Sequence, residues 1–211
     1  MYAMLQMLVK NVPVIAVSIF EVNTLNYYKR NRREITTEID LEGMVPNKRL
    51  KFEFQRSPLV LSEEQLELPP LSKPRRSVFL VEISGGGKTA RAIIRKGFLR
   101  SFYRHTVAGT ALSVLDESFK RISVENLVVH CMGRTFHGKS CNATEQGEIL
   151  IPPPPTTRNN EVVIVDFLSS DREPSFAALF HVDLPSESYE LETSWFFERY
   201  EMFPSSFCYL I

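Results

Sequence analysis

Hydrophobic and polar residues alternate with a period of two along much of the chain. Leu50, Phe52 and Phe54 interleave with Lys51, Glu53 and Gln55, and Ile35, Thr37, Ile39 and Leu41 with Thr36, Glu38 and Asp40. Tyr189, Leu191, Thr193, Trp195 and Phe197 interleave with Glu190, Glu192, Ser194 and Glu198. A strand turns successive side chains to opposite faces, so this pattern sets one face on a core and one in water. Residues 14–22, 78–83, 127–129 and 162–167 are instead mostly apolar and β-branched, as strands buried on both faces are. Helical spacing is confined to residues 23–33, where Asn23 or Thr24 is placed to cap, and more weakly to residues 63–66. Thirteen prolines fall mostly between the strand-like runs. Many short strands joined by turns predict an all-β chain of antiparallel β-sandwiches.

A division is expected near residues 104–106, where a new strand series opens at residues 107–115. This gives one sandwich over residues 1–104, a second over 105–186 and the opening strands of a further domain over 187–211. No strict internal repeat is visible in the letters, although both halves carry strand series of similar length. A strand ending on the apolar Ile211 presents a bare edge, so the chain reads as a fragment or as one whose edge a partner covers. Residues 152–155 are four prolines, an extended connection.

Composition narrows the function classes. Apolar residues make up 44% of the chain, enough for a packed core. Lys plus Arg and Asp plus Glu stand at 25 each, so no net field draws the chain to nucleic acid or anionic lipid. No apolar run approaches the roughly 20 residues that span a bilayer. The apolar start has no basic region before it and no small-residue cleavage site after it, so no signal peptide is expected.

Residues 84–89 carry a Gly-Lys-Thr triplet after a strand, which suggests a phosphate-binding loop. Such a loop needs a further glycine where this chain has Glu82, and it must open a helix. Residues 90–95 alternate like a strand, so the expected structure is a hairpin turning on Gly85, Gly86 and Gly87. His130, Cys131, His137 and Cys141 include metal-ligand types without close paired spacing. Neighbours on a strand point oppositely, so a buried cysteine is preferred to zinc, and a Cys131–Cys141 disulfide stands as the intermediate reading. No metal and no other cofactor is expected. The sequon at Asn142 is a candidate N-glycosylation site. Glu63 and Glu64 adjoin one another as solvated carboxylates. Basic residues run through Lys29, Arg30, Arg32 and Arg33, and again through Arg91, Arg95, Lys96, Arg100 and Arg104. Solvated strand faces explain them better than nucleic acid does.

Several stretches are similar to one branch of the large α-macroglobulin-like proteins of bacteria and protists. The strongest is residues 78–97, a strand, a glycine-rich turn and a strand ending Arg95-Lys96-Gly97. Residues 22–28, 39–43, 108–116 and 147–152 are similar in the same way. The resemblance implies two macroglobulin or fibronectin III-like sandwiches and the start of a third, in an extracellular or cell-surface setting. It further implies a structural module of a protease-binding or protease-inhibiting scaffold. No cysteine here precedes Gly-Glu-Gln, so the thioester chemistry of that family does not carry over; Cys141 precedes Asn142. The expectation is therefore a non-enzymatic interaction module with no catalytic residues, whose partner is a protein or the rest of a larger chain. Nucleic acid, a membrane span and a small-molecule ligand are not expected. A nucleotide-binding enzyme using the loop from Gly85 to Thr89 is the alternative.

Overall fold

The computed structural model describes residues 3–55, 57, 59–69, 71, 76–138, 144, 147–168 and 176–186. The chain is all-β, in antiparallel sheets, with one short α-helix. Strands β1 (Ala3–Val9) and β4 (Ser62–Leu68) form a pair. Opposite them lie β2 (Val14–Val22), β3 (Lys48–Glu53), β5 (Ser77–Gly85) and β6 (Lys88–Lys96), in the order β3-β2-β5-β6. A second set follows. Strands β7 (Arg100–Thr106), β8 (Gly109–Leu115) and β11 (Ile149–Ile151) form a sheet ordered β11-β8-β7. Its companion contains β9 (Leu127–Cys131), β10 (Arg134–His137), β12 (Arg158–Phe167) and β13 (Phe176–Leu184), ordered β10-β9-β12-β13.

The two sets repeat one pairing scheme. The pair β1-β4 corresponds to β8-β11, and β3-β2-β5-β6 to β10-β9-β12-β13. The repeat lies in strand order and not in the letters, because a sandwich constrains alternation and turns far more than residue identity. Strand β7 runs across residue 104, where the sequence suggests a division, and it pairs along its length with β8.

The runs at residues 14–22 and 78–83 are mostly apolar because β2 and β5 bury side chains on both faces. Ile15, Val17, Ile19, Phe79 and Val81 meet Leu66 and Leu68 in the core beneath β1-β4. Phe20, Val22, Val78 and Leu80 face the other way, into a larger core that continues through Leu112, Val129, Ile149, Val163 and Val182. Burial of each such side chain contributes about 1.5–3 kcal/mol.

Helix α1 (Thr24–Asn31) packs between the two sets, against β12 and β13. The Asn23 side chain accepts from the Asn26 amide at 3.0 Å, and left-handed Arg32 ends the helix with its amide donating to the Tyr28 carbonyl. Buried Thr24 accepts from the Ala177 amide at 2.8 Å, tying the helix start to β13.

Two local readings change. Residues 35–41 do not form a strand; they wind as an irregular segment in which Ile35 and Ile39 are buried. Their carbonyls are satisfied by side chains instead of a ladder: Arg95 donates to Ile35 O at 3.0 Å and Arg91 to Ile39 O at 3.0 Å. Residues 63–66 belong to strand β4 and are not helical. Leu66 and Leu68 face the core while Glu63, Gln65 and Glu67 face water, a period of two that tertiary burial enforces.

Candidate interaction surface

The Gly-Lys-Thr triplet lies in a hairpin. Gly85 pairs with Lys88, leaving Gly86 and Gly87 as a two-residue turn with φ of 57° and 73°. Positive φ at both central positions matches the right-handed twist of flanking strands, and only glycine adopts it without strain. Strand β6 follows directly, with no helix whose amides face an anion. The nucleotide-binding alternative is thereby removed.

Among the described residues, His130, Cys131 and His137 do not form a metal-binding group. His130 lies half-buried on β9 and its Nδ1 is 3.0 Å from Thr135 Oγ1, while Cys131 points into the core as a free thiol. Burial pushes that thiol up to about 11, with Glu161 adding to the effect. Among the described residues no group of His, Cys, Asp or Glu is placed to hold a metal. Cys141, Asn142 and Cys208 lie outside the described residues.

Most of the basic series is engaged within the chain. Arg91 pairs with Glu82 at 2.9 Å and Arg95 with Glu34 at 3.2 Å, besides holding the loop carbonyls. Arg104 reaches the buried Glu148 carboxylate at 2.8 Å. Hydrogen bonding from Arg104, with help from Ser113 and Arg121, holds Glu148 below the usual carboxylate range despite its burial.

Arg100 is different. On β7 it stands on the solvent face with Phe102 and Arg104, while Ser101 and Tyr103 turn inward. Its guanidinium lies 4.9 Å from the Phe98 ring centre and 4.3 Å from that of Phe119. It has no acidic partner among the described residues. Phe98 and Phe119 flank Arg100 while remaining 43% and 63% exposed, and Phe102, 62% exposed, stands two residues along the same face of β7.

The turn that presents Phe119 is built for it. Asp116 Oδ1 accepts from the amides of Ser118 and Lys120, at 2.8 and 3.0 Å, and the Asp116 carbonyl accepts from Phe119. Phe119 sits at φ 60°, a left-handed backbone that costs a bulky residue about 1–2 kcal/mol. The ring thus gains neither burial nor backbone comfort. Strain of this kind collects at functional surfaces, and exposed aromatic clusters rimmed by cations mark protein contacts. Its neighbour Glu117 turns the other way, into a bidentate pair with buried Arg76 at 2.8 Å.

The sequence singles out Arg100 but not the phenylalanines. Alternation alone assigns Phe102 to the solvent face of β7, yet nothing local shows that Phe98 and Phe119 converge on Arg100 from outside the strand.

Besides an open depression of about 480 Å³ lined by Thr37, Glu82, Thr89 and Arg91, two others lie elsewhere. One of about 130 Å³ is lined by Val9, Asn11, Val12, Pro13, Phe54, Ser57, Val60 and Ser62, and contains no acid–base residue. The other, about 270 Å³, includes Glu21, Asn47 and Arg76, whose guanidinium is committed to Glu117. No helix among the described residues is long and apolar enough to cross a membrane.

A family model described as the AbpF first immunoglobulin-like domain matches residues 15–97. Actin-binding protein F of Dictyostelium discoideum is 26% identical over 192 residues, which cover 90% of this chain and 8% of that protein. No solved structure matches. The α-macroglobulin resemblance is corrected accordingly, and with it the protease-binding reading. The strand, glycine turn and strand of residues 78–97 lie inside the matched span and form a hairpin that any such sandwich can contain. The chain is similar, from β2 to the end of β6, to the first immunoglobulin-like domain of an actin-binding protein.

Proposed function

We propose that this chain is a non-catalytic, immunoglobulin-like binding segment whose partner is the actin filament. The observation that carries this reading is the surface of Phe98, Arg100, Phe102 and Phe119. Aromatic and arginine side chains are the residues that most often dominate binding energy when an interface covers them. A guanidinium held between two rings, with no acidic partner among the described residues, suits a carboxylate on the partner, flanked by apolar atoms. The similarity to a protein named for actin binding supplies the candidate partner, although the matched stretch is only 8% of that protein.

Two units serve this role, meeting around Gly97 instead of at residue 104. The match ends at residue 97, and β7 begins at Arg100. Helix α1 and the Arg76–Glu117 pair then hold one unit against the other, so the binding surface keeps a set orientation.

Sedimentation of the chain with actin filaments tests the reading. Phe102→Ala and Phe119→Ala should each weaken pelleting about tenfold, or about 1.4 kcal/mol. Arg100→Ala should weaken it and flatten its salt dependence. Failure of the parent chain to pellet, or variants that pellet equally well, would overturn the proposal.

A further inference from the structure

One carboxylate serves both the joint between the strand sets and the aromatic surface. Glu117 Oε1 accepts from Arg76 Nε at 2.8 Å and from the Phe98 amide at 3.3 Å, while its Oε2 accepts from Arg76 Nη2 at 2.8 Å. Arg76 stands just before β5, in the first set. Glu117 lies in the turn after β8, and Phe98 in the connection that leads into β7. Phe119 belongs to the same turn as Glu117. The rings that enclose Arg100, at 4.9 and 4.3 Å, are thus tied to a single side chain. Phe98 is tied through its amide, and Phe119 through the turn.

The ends of this link are fixed. Buried Arg76 lies 5.0 Å from the Phe167 ring centre on β12, so it leaves Glu117 only if the joint unpacks. Leu99 is buried in the larger core and anchors the chain on the far side of Phe98. Asp116 shapes the turn itself through the amides of Ser118 and Lys120. The spacing between turn and connection is left to Glu117, and on that spacing depends whether both rings meet Arg100. We propose, resting on that surface being the partner contact, that Arg76 is its positioning residue: acting through Glu117, it completes the surface only while the two strand sets are docked. When the sets part, the Glu117 carboxylate turns to water, the Phe98 amide loses its acceptor and the rings draw away from Arg100. Linkage runs both ways, so a partner that grips the rings tightens the joint.

The full chain is compared with Arg76→Met and with Arg76→Met combined with Glu117→Leu. In the parent, ring currents of Phe98 and Phe119 displace the Arg100 Nε–H resonance. In both variants that resonance should return toward an ordinary arginine position, and exchange of the Phe98 amide should quicken about tenfold. The double variant should regain thermal stability while its rings stay apart, which a purely structural role for Arg76 would not produce. Pelleting with actin filaments should weaken about tenfold in both variants, although Phe98, Arg100, Phe102 and Phe119 are all unchanged. An unmoved Arg100 resonance in the stable double variant overturns the proposal. So does a displaced resonance with undiminished pelleting. A parent chain that does not pellet overturns the actin reading alone, because resonance and exchange still decide whether Arg76 sets the rings.

Discussion

Replacing Arg76 by methionine isolates the joint between the two strand sets. The Arg76 side chain is 6% exposed, and its Nε and Nη2 both donate to Glu117 at 2.8 Å, with the guanidinium 5.0 Å from the Phe167 ring centre. Methionine preserves most of the packed length but leaves the Glu117 carboxylate without its cation. Breaking a buried pair from one side costs about 3–5 kcal/mol. Glu117 is 22% exposed, so water recovers part of this, and about 2–3 kcal/mol is expected at pH 7. For a chain of this size that corresponds to a Tm lower by about 5–10 °C.

The loss should depend on pH in a defined direction. Burial pushes the Glu117 carboxyl up, but the hydrogen bonds from Arg76 and from the Phe98 amide outweigh it and hold the group below its ordinary value. A carboxyl depressed on folding contributes stability that is complete above its unfolded value. That contribution disappears as pH falls through the folded value. The parent therefore loses this contribution in acid, whereas Arg76→Met has little left to lose. Urea unfolding at pH 7 and near pH 3.5 should show the two proteins converging. Adding Glu117→Leu to Arg76→Met should restore most of the stability at pH 7, since no uncompensated charge remains. A deficit equal at both pH values, or no recovery in the double variant, would refute the electrostatic account and leave packing against Phe167 as the cause.

Glu148, held low by Arg104, should follow the same sign: Glu148→Gln lowers Tm at pH 7 and flattens the decline of stability as pH falls below the ordinary carboxylate range. Cys131, buried with its thiol pushed up to about 11, should resist a thiol reagent at pH 8 in the native chain and react promptly in urea; fast native labelling would contradict its placement. Gly109 sits at φ 131° with its Cα facing Ile151 O, where an added Cβ would overlap the carbonyl. Gly109→Ala should therefore destabilise the β8–β11 pairing by several kcal/mol, read as a lower urea midpoint with an unchanged slope.

Alternation and turn chemistry determined the class of this fold from the letters alone. The period of two, the apolar runs of β2 and β5, the Asn23 cap and the two-glycine turn are local instructions, each satisfied by a residue's own neighbours in sequence. They suffice for an all-β chain because burial of every second side chain is a property of single strands. The alternation at residues 35–41 followed the same rule and yet formed no strand. Arg91 and Arg95, more than fifty residues away, supply the donors that a neighbouring strand would otherwise supply. Tertiary structure alone decided the rest. It made β1-β4 and β8-β11 equivalents, placed helix α1 between the two sets, and drew Phe98 and Phe119 around Arg100. These outcomes depend on which distant segments share a sheet edge or a turn, and strand pairing fixes that only when the whole layered core is assembled.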